Sequence, residues 1–282
     1  MNKIDLILQS ITHMPSFPAV VHRVLELVEN PKTSSKDVVE VIQYDQATTA
    51  NVLRVCNSAY FGPRKPVHSL NEALVRIGFN QLMEIVLSKG TASFFTRACQ
   101  GYHLEAGELR RHSVASAILS QILAQQIQKE TSPLQFTTAL LHDIGKLALS
   151  EFVRESFEEI RTLVRERKIS FLEAEKEILG IDHAELGARI AEQWEFAPGI
   201  VAGIRFHHTP FQAPDFQDLV SMVHLCDVVA LLTGCGGGAD GLSYHGYKEI
   251  MQRFGLQEKH LERVISELDD RLKEAEMLLN SP

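Results

Sequence analysis

Hydrophobic positions recur every three or four residues along most of the chain, which is the spacing of amphipathic helices. In the first 100 residues, five such segments alternate with residues that form turns. They begin near Pro18, Ser34, Asp45, Ser69 and Asn80. The hydroxyl, carboxylate and amide side chains at the last four of these positions can cap a helix N-terminus. The pattern predicts a compact bundle of short helices, and almost nothing in it indicates a β strand.

From about residue 100 the predicted helices become longer. Four of them cover approximately residues 106–127, 183–194, 199–208 and 218–233. The segment 137–152, TTALLHDIGKLALSEF, is apolar nearly all round, which predicts one central buried helix. A glycine-rich loop at 233–241 precedes a C-terminal amphipathic helix. We therefore expect an all-α fold with an N-terminal helical bundle at 1–98, a helical core at 99–235, and the loop and terminal helix at 236–282 packing on that core.

Composition narrows the functional classes. The chain has 282 residues, 45% of them hydrophobic, and a formal net charge of −8, which indicates a soluble globular protein with no broad surface for nucleic acid or anionic membrane. The four cysteines have no C-x-x-C spacing, and the first residues do not resemble a signal peptide. No apolar run approaches the roughly 20 residues needed to span a bilayer. The sequence predicts a reduced, cytoplasmic protein without a membrane or nucleic-acid partner.

Histidine and carboxylate residues recur over about half of the chain in an order that suits a metal centre. Imidazole nitrogens and carboxylate oxygens are preferred ligands of iron, zinc, nickel and manganese. The predicted buried helix contains both Asp143 and Lys146, and burying unpaired charges costs several kcal/mol. A bound cation would neutralise the Asp143 carboxylate. The candidate ligands are Glu108, His112, His142, Asp143, His183, His207, His208 and Asp227.

The alternative to a metal site is a structural network. A single His-Asp pair inside a helix is more often a satisfied core histidine beside a salt-bridged aspartate, but the full ordered set favours a di- or trinuclear centre. His224 is expected behind the ligands or in the core, with a role as an extra ligand as the less favoured alternative, and Cys226 is expected to be a buried apolar residue. Asn57, Ser58 and Tyr60 suggest a capping turn, with a contact to a partner protein as the alternative.

Three stretches carry a resemblance to known families. ALLHDIGKLAL, with His112 upstream and Asp227 downstream, resembles the H…HD…D signature of the HD superfamily of metal-dependent phosphohydrolases. Glu108, His183 and the His207-His208 pair resemble the larger ligand set of the HD-GYP subfamily, which are cyclic di-GMP phosphodiesterases. NSAYFG and ALVRIGFNQL are similar to the HDOD family, the HD-related output domain of bacterial signalling proteins. The HDOD resemblance covers roughly residues 10–235 and implies an all-helical fold.

The resemblance implies a centre of two or three divalent transition-metal ions, with iron favoured and manganese, nickel or zinc as alternatives. Asp143 would bridge the ions. His112, His142 and Asp227 would complete one site, His183, His207 and His208 the second, and Glu108 would serve a third. Asp143 and Lys146 are the catalytic candidates, with Lys146 stabilising charge on phosphoryl oxygens.

Two functional classes follow from the resemblance. The first is a phosphohydrolase or phosphodiesterase that acts on a phosphate-containing small molecule or nucleotide. The second is a non-catalytic regulatory module with a structural, vestigial or redox-sensing metal and a signalling-protein partner, since many HDOD domains have lost their HD ligands. The segment HHTPFQAPDF, which begins with the double histidine, lacks the Gly-Tyr-Pro sequence of the HD-GYP subfamily.

Overall fold

The structure, a computed structural model, describes residues 3–12, 14, 16–30, 32–58, 61, 66–95, 97–129, 132–236 and 247–280. Over these ranges the chain forms helices and loops, with one isolated bridge between Cys99 and Leu104, and the predicted all-α class is confirmed. The helices are α1 Lys3–Ile11, α2 Ala19–Glu29, α3 Ser35–Ile42, α4 Gln46–Cys56, α5 Leu70–Thr91, α6 Glu108–Gln126, α7 Pro133–Leu141, α8 Gly145–Arg167, α9 Phe171–Leu179, α10 His183–Gln193, α11 Pro198–Phe206, α12 Gln217–Leu232, α13 Tyr247–Arg253 and α14 Glu258–Asn280.

The N-terminal helices begin where their capping residues predict. The Ser34 side chain caps α3 in a reciprocal capping box with Asp37, and the Asp45 carboxylate accepts the backbone N–H of Thr48 at 2.7 Å to begin α4. Gly78, with φ 78° and ψ 170°, interrupts α5 between its two predicted halves. Helix α1 was not predicted. It packs on α8, with Ile7 fully buried.

The prediction of one continuous helix over 137–152 is wrong. Helix α7 ends at Leu141 and α8 begins at Gly145, and the turn between them is held by hydrogen bonds from the Ile144 N–H to the Leu141 carbonyl and from the Lys146 N–H to the Asp143 carbonyl, both 3.0 Å. A Cβ atom on Gly145 would lie 1.9 Å from the His183 carbonyl oxygen. The close approach of α10 therefore requires glycine, and the turn directs His142 and Asp143 to the same interior point.

Helices α6, α7 and α12 pack together at the centre, with α8, α10 and α11 around them. An aromatic cluster joins the N-terminal bundle to this core. The Phe17 ring lies 5.1 Å from the Trp194 ring and 4.8 Å from the Phe196 ring, measured between centroids. Edge-to-face and tilted pairs of this kind each contribute about 0.5–1.5 kcal/mol beyond the burial of apolar area.

The C-terminal helix α14 packs along α6. Val264, Leu268 and Leu272 of its predicted apolar face are buried, whereas Ile265 is exposed. The side chains of Leu278 and Leu279 and loop residues 237–241 lie outside the described residues. The division at residues 98/99 and 235/236 stays a prediction. In the part of the chain that the structure describes, no helix has both the length and the hydropathy to cross a bilayer.

Candidate metal centre

One group of candidate ligands comes from α6, α12 and the turn after α7. His112, His142 and Asp227 each direct one ligand atom to a common point, with all three atoms within 4.8 Å of one another. The His112 Nε2 atom lies 3.0 Å from Asp227 Oδ1 and 3.2 Å from His142 Nε2. All three side chains are at most 3% exposed. These residues form the first half of the cluster.

A second group comes from the turn after α7, from α10 and from the turn after α11. Asp143, His183, His207 and His208 also place their ligand atoms within 4.8 Å of one another. The Nε2 atoms of His183 and His208 are 2.8 Å apart. His208 is the most accessible of these residues, with 11% of its side chain exposed. These residues form the second half of the cluster.

The Asp143 carboxylate lies between the two halves. Its Oδ2 atom is 3.5 Å from the Nε2 atoms of both His112 and His142. Its Oδ1 atom is 3.6 Å from the Nε2 atoms of both His183 and His207. One oxygen therefore faces each half, and this is the arrangement that a bridging carboxylate requires. The grouping predicted for His112, His142 and Asp227 on one side and for His183, His207 and His208 on the other matches this geometry.

In four of the histidines, the Nδ1 atom makes a hydrogen bond to a group outside the cluster. Three of these bonds go to backbone carbonyls, and that of His183 goes to a carboxylate. His142 and His207 follow directly on α7 and α11, and their Nδ1 atoms donate to the Ala139 and Ile204 carbonyls, each at 2.7 Å. These carbonyls belong to helix ends, which leave acceptors without intrahelical partners. His112 Nδ1 donates to the Cys235 carbonyl at 2.9 Å. Such bonds fix the tautomer that leaves Nε2 available to a metal.

His183 is held by a carboxylate that sequence analysis missed. Its Nδ1 atom donates to Glu175 Oε2 at 2.7 Å, and its backbone N–H donates to the same oxygen at 3.0 Å. The Tyr102 hydroxyl donates to the other oxygen, Oε1, at 2.5 Å. Glu175 is fully buried. Its position in α9, eight residues before His183, carries no sequence signal, because the contact depends on how α9 turns back toward α10.

His224 lies behind the ligands, as expected. Its Nδ1 atom donates to the His207 carbonyl at 2.6 Å, so it supports the backbone that presents the double histidine. Gly236 has φ +84°, and a Cβ atom there would lie 2.6 Å from Cβ of His112. The chain after α12 therefore passes directly over His112, where only glycine fits.

Charges inside the cluster determine its protonation. Burial raises the pKa of Asp143, but Lys146 and His142 outweigh it and hold that pKa well below its usual range. Burial also raises the pKa of Asp227, and hydrogen bonds from His112 and His142 reverse this effect. Burial, with the neighbouring imidazoles, holds the pKa of His208 well below its usual range. At neutral pH, both carboxylates are thus ionised and His208 is neutral, which are the forms that bind metals.

The pKa values of His207 and His208 are lowered, whereas that of His142 is raised, and so is that of His183. Burial lowers the pKa of His183, but the Glu175 carboxylate outweighs burial and raises the pKa to about 9. At neutral pH both ring nitrogens of His183 therefore carry a proton, and a metal bound at Nε2 would have to displace the proton on that atom. The same carboxylate makes the imidazole a stronger electron donor to a cation once that proton has left.

The donor atoms fit a metal ion in their spacing and in the buried atoms among them that lack a hydrogen-bond partner. Ligand atoms about 2.1 Å from an ion lie roughly 3.0–3.4 Å apart in octahedral or tetrahedral geometry, close to the 2.8–3.6 Å found between neighbouring ligand atoms. Three atoms that face the cluster are buried and have no hydrogen-bond partner among the described residues: Asp143 Oδ1, His207 Nε2 and Asp227 Oδ2. Leaving such atoms unsatisfied costs about 1–3 kcal/mol each, and a cation would satisfy them.

Glu108 does not join the cluster. Its side chain is exposed, and its carboxylate accepts the backbone N–H of Glu105 at 2.7 Å. The expectation that Glu108 and His112 point to one centre is wrong for Glu108, because it occupies the first position of α6 and caps the turn before that helix. The described residues therefore offer two groups of ligands, and Glu108 does not provide the start of a third.

Lys146 is buried beside the cluster. Its Nζ atom donates to Asp143 Oδ2 at 2.7 Å and lies 5.5 Å from the centroid of the Tyr102 ring. In this position its ammonium balances the charge of the Asp143 carboxylate. Asn57, from the predicted capping turn, bonds the backbone of Val67 through both side-chain atoms, at 2.7 and 2.9 Å. Tyr60 lies outside the described residues.

The fold and the cluster together define an all-α protein with His/Asp groups that could hold metal ions. The HDOD domain family matches residues 14–210, and the chain belongs to that family. An uncharacterized protein of Treponema pallidum (strain Nichols) is 26% identical over 215 residues, which is 76% of this chain and 41% of the relative. The match therefore spans less than half the length of that relative.

Solved structures share the fold. An HDOD domain protein of unknown function from Geobacter sulfurreducens superposes with a TM-score of 0.74 at 23% identity, covering 99% of this chain and 97% of the other. A protein from Shewanella amazonensis SB2B, provisionally named a phosphohydrolase, superposes with a TM-score of 0.68 at 24% identity, covering 97% of both chains. At these identities, the likeness establishes the fold alone.

Proposed function

We propose that this HDOD protein binds two divalent transition-metal ions in a centre bridged by Asp143 and uses that centre to hydrolyse a phosphoester in bacterial signalling. The observation that carries the proposal is the position of Asp143, with one carboxylate oxygen 3.5 Å from two imidazole nitrogens and the other 3.6 Å from two more. Iron is the favoured ion, with manganese, nickel or zinc as alternatives, since imidazole and carboxylate ligands suit them all.

Metal ions at this position would supply Lewis acidity and activate water for attack on phosphorus. The protein residues hold the site in a form that is ready for them. Asp143 and Asp227 supply two negative charges, and the Nδ1 hydrogen bonds of His112, His142 and His207 orient the imidazoles. Lys146 keeps the Asp143 carboxylate ionised. Because its Nζ atom donates a hydrogen bond to Asp143 Oδ2, Lys146 could stabilise phosphoryl oxygens only after that bond is broken.

The provisional name of the Shewanella relative supports a phosphohydrolase reading. It is a statement about that protein, and it brings no substrate to this chain. The proposed substrate is a phosphate-containing small molecule or nucleotide. Cyclic di-GMP is the first compound to test by resemblance, although the Gly-Tyr-Pro sequence is missing after His208.

Metal analysis combined with a substrate panel tests the proposal. Protein purified without chelator should contain close to two metal ions per chain, and the loaded protein should hydrolyse at least one phosphomonoester, phosphodiester or nucleotide. Lys146→Met should lower the rate while leaving metal content within about twofold, if the lysine acts through the substrate. A loss of metal in this variant would instead assign the lysine to maintaining Asp143. Full loading without turnover by iron, manganese, nickel and zinc forms would reject the enzyme.

A non-catalytic regulatory module is the second candidate, and the burial of the ligands favours it. Seven ligand side chains are at most 11% exposed, whereas a catalytic metal keeps an open coordination position. In this reading the metals are structural or redox-active, and the partner is another signalling protein. Metal-loaded protein that is inactive on the whole panel but binds such a partner in cells would favour the module.

A further inference from the structure

A cavity on the other side of α6 is separate from the metal cluster. It has a volume of about 470 Å³ and lies mainly between α5, α6 and α14. This volume is within the range of about 300–1,000 Å³ that is usual for small-molecule sites. On α6, Val114, Ile118, Gln121 and Gln125 line the cavity, and their spacing of four, three and four residues puts them on one helix face. His112 points from a different face of the same helix into the cluster.

The polar wall of the cavity is a preformed hydrogen-bonded network. The Glu84 carboxylate accepts Gln121 Nε2 at 2.6 Å through Oε1 and Gln81 Nε2 at 2.9 Å through Oε2. The Arg271 guanidinium donates to Gln121 Oε1 and lies 3.7 Å from Glu84 Oε1. Gln121 is 6% exposed. A carboxylate, an amide and a guanidinium thus stand side by side and present an edge of fixed acceptors and donors.

Charge and apolar area limit what the cavity can bind. Glu84, Glu267 and Glu274 contribute three carboxylates, against two cations from Lys89 and Arg271. A phosphorylated ligand would therefore meet a net negative wall and be repelled. Phe136, Ile118 and Val114 add apolar surface suited to the flat face of a ring. The favoured ligand has flat apolar faces, a hydrogen-bonding edge and no anionic group.

We infer that this cavity binds an uncharged, phosphate-free heteroaromatic molecule of nucleobase to nucleoside size. The edge of a nucleobase alternates hydrogen-bond donors and acceptors, and amide, carboxylate and guanidinium side chains pair with such edges. The site is independent of the proposed metal chemistry, because none of the cluster residues lines it. Binding to protein with and without metal therefore separates this inference from the proposed function.

Titration calorimetry of the full chain with adenosine, guanosine, cytidine, uridine and their 5′-monophosphates tests the inference. At least one nucleoside should bind, and its monophosphate should bind about tenfold more weakly or not at all. Ala275→Phe fills the cavity from α14 and should weaken nucleoside binding by at least about tenfold. Ser266→Phe adds the same ring at an exposed position of the same helix and should leave binding unchanged.

Ser88→Trp fills the cavity from α5 and provides a second test if Ala275→Phe does not fold. No binding of any nucleoside to the wild-type protein overturns the inference. So does tighter binding of the monophosphates, since the charge argument then fails. Binding that survives both cavity-filling changes would place the nucleoside elsewhere and also overturn it.

Discussion

Two polar clusters lie on different faces of α6, and they differ in how their charges are satisfied. The cluster around Asp143 is buried, and the network around Glu84 is partly buried. In the cluster around Asp143, three buried atoms that face inward have no hydrogen-bond partner among the described residues. In the network around Glu84, both carboxylate oxygens accept amide hydrogens and Arg271 lies beside them. The first cluster has buried acceptors that a cation would balance, whereas the carboxylate of the second is already hydrogen-bonded by its neighbours. Buried charge by itself therefore does not mark a metal site.

The largest effect is expected from Asp143→Asn. The change removes the charge that faces both halves of the cluster, so metal content should fall by at least about tenfold, with loss of ions from both halves. Metal analysis by mass spectrometry measures this effect. Asp270→Asn, at an exposed position on α14, is the matched control and should retain its metal. Retention of one full equivalent in Asp143→Asn would show that the two halves load independently.

Chelation should have the next largest effect. A ligand that binds only the native state at about 1,000 times its Kd stabilises it by about 4 kcal/mol. For a chain of this length, that corresponds to a fall in Tm of roughly 7 °C when the metal is removed. Scanning calorimetry before and after verified chelation measures the change, and adding metal back should restore the Tm. An identical Tm in the stripped protein would contradict a contribution of the metal to stability.

Glu175→Gln should have a smaller effect. The carboxylate that holds His183 Nδ1 becomes a neutral amide, so metal affinity should fall by about 10–100-fold while the fold is kept. Tyr102→Phe is the control, because it removes only the hydroxyl that donates to the distant oxygen of Glu175. Competition with a fluorescent chelator measures both affinities. Equal losses in the two variants would indicate general repacking, since the change at Tyr102 leaves the bond to His183 in place.

The smallest effect, of opposite sign, is expected from Glu84→Gln. Burial raises the pKa of Glu84 above its usual value, although hydrogen bonds from its amide neighbours and Arg271 oppose the rise. Because the folded state binds the Glu84 proton more tightly than the unfolded state does, the bound proton contributes to stability. This contribution is fully present below the unfolded pKa of about 4.5 and is lost as pH rises through the folded pKa.

Glu84→Gln should therefore raise Tm at pH 7 by at most about 3 °C. The advantage over the wild type should shrink toward pH 4, and thermal unfolding across this range measures it. Destabilisation at pH 7 comparable to that caused by chelation would remove the distinction between the two polar clusters.

The sequence by itself predicted the all-α class, the starts of α3, α4 and α5 at their capping residues, and seven histidine and aspartate residues that the structure brings together. These features are local or chemical. Helical spacing and caps act within a few residues, and buried histidines and aspartates need partners wherever they occur. The break in α5 was also predicted from the sequence, because it lies at a glycine. Gly78 adopts a backbone conformation that other residues avoid.

Only the tertiary structure decided the remaining features. Glu108 and His112 have ideal helical spacing, yet the exposed Glu108 carboxylate accepts the Glu105 N–H in the turn before α6, because backbone donors at the surface compete for it. Glu175 has no motif, yet it holds His183 because α9 turns back against α10. The helix predicted through Asp143 is interrupted between Leu141 and Gly145, and the His183 carbonyl leaves no space for a side chain at Gly145. In each case the contact joins residues that are far apart in sequence or competes with a local pattern, and only packing resolves such competition.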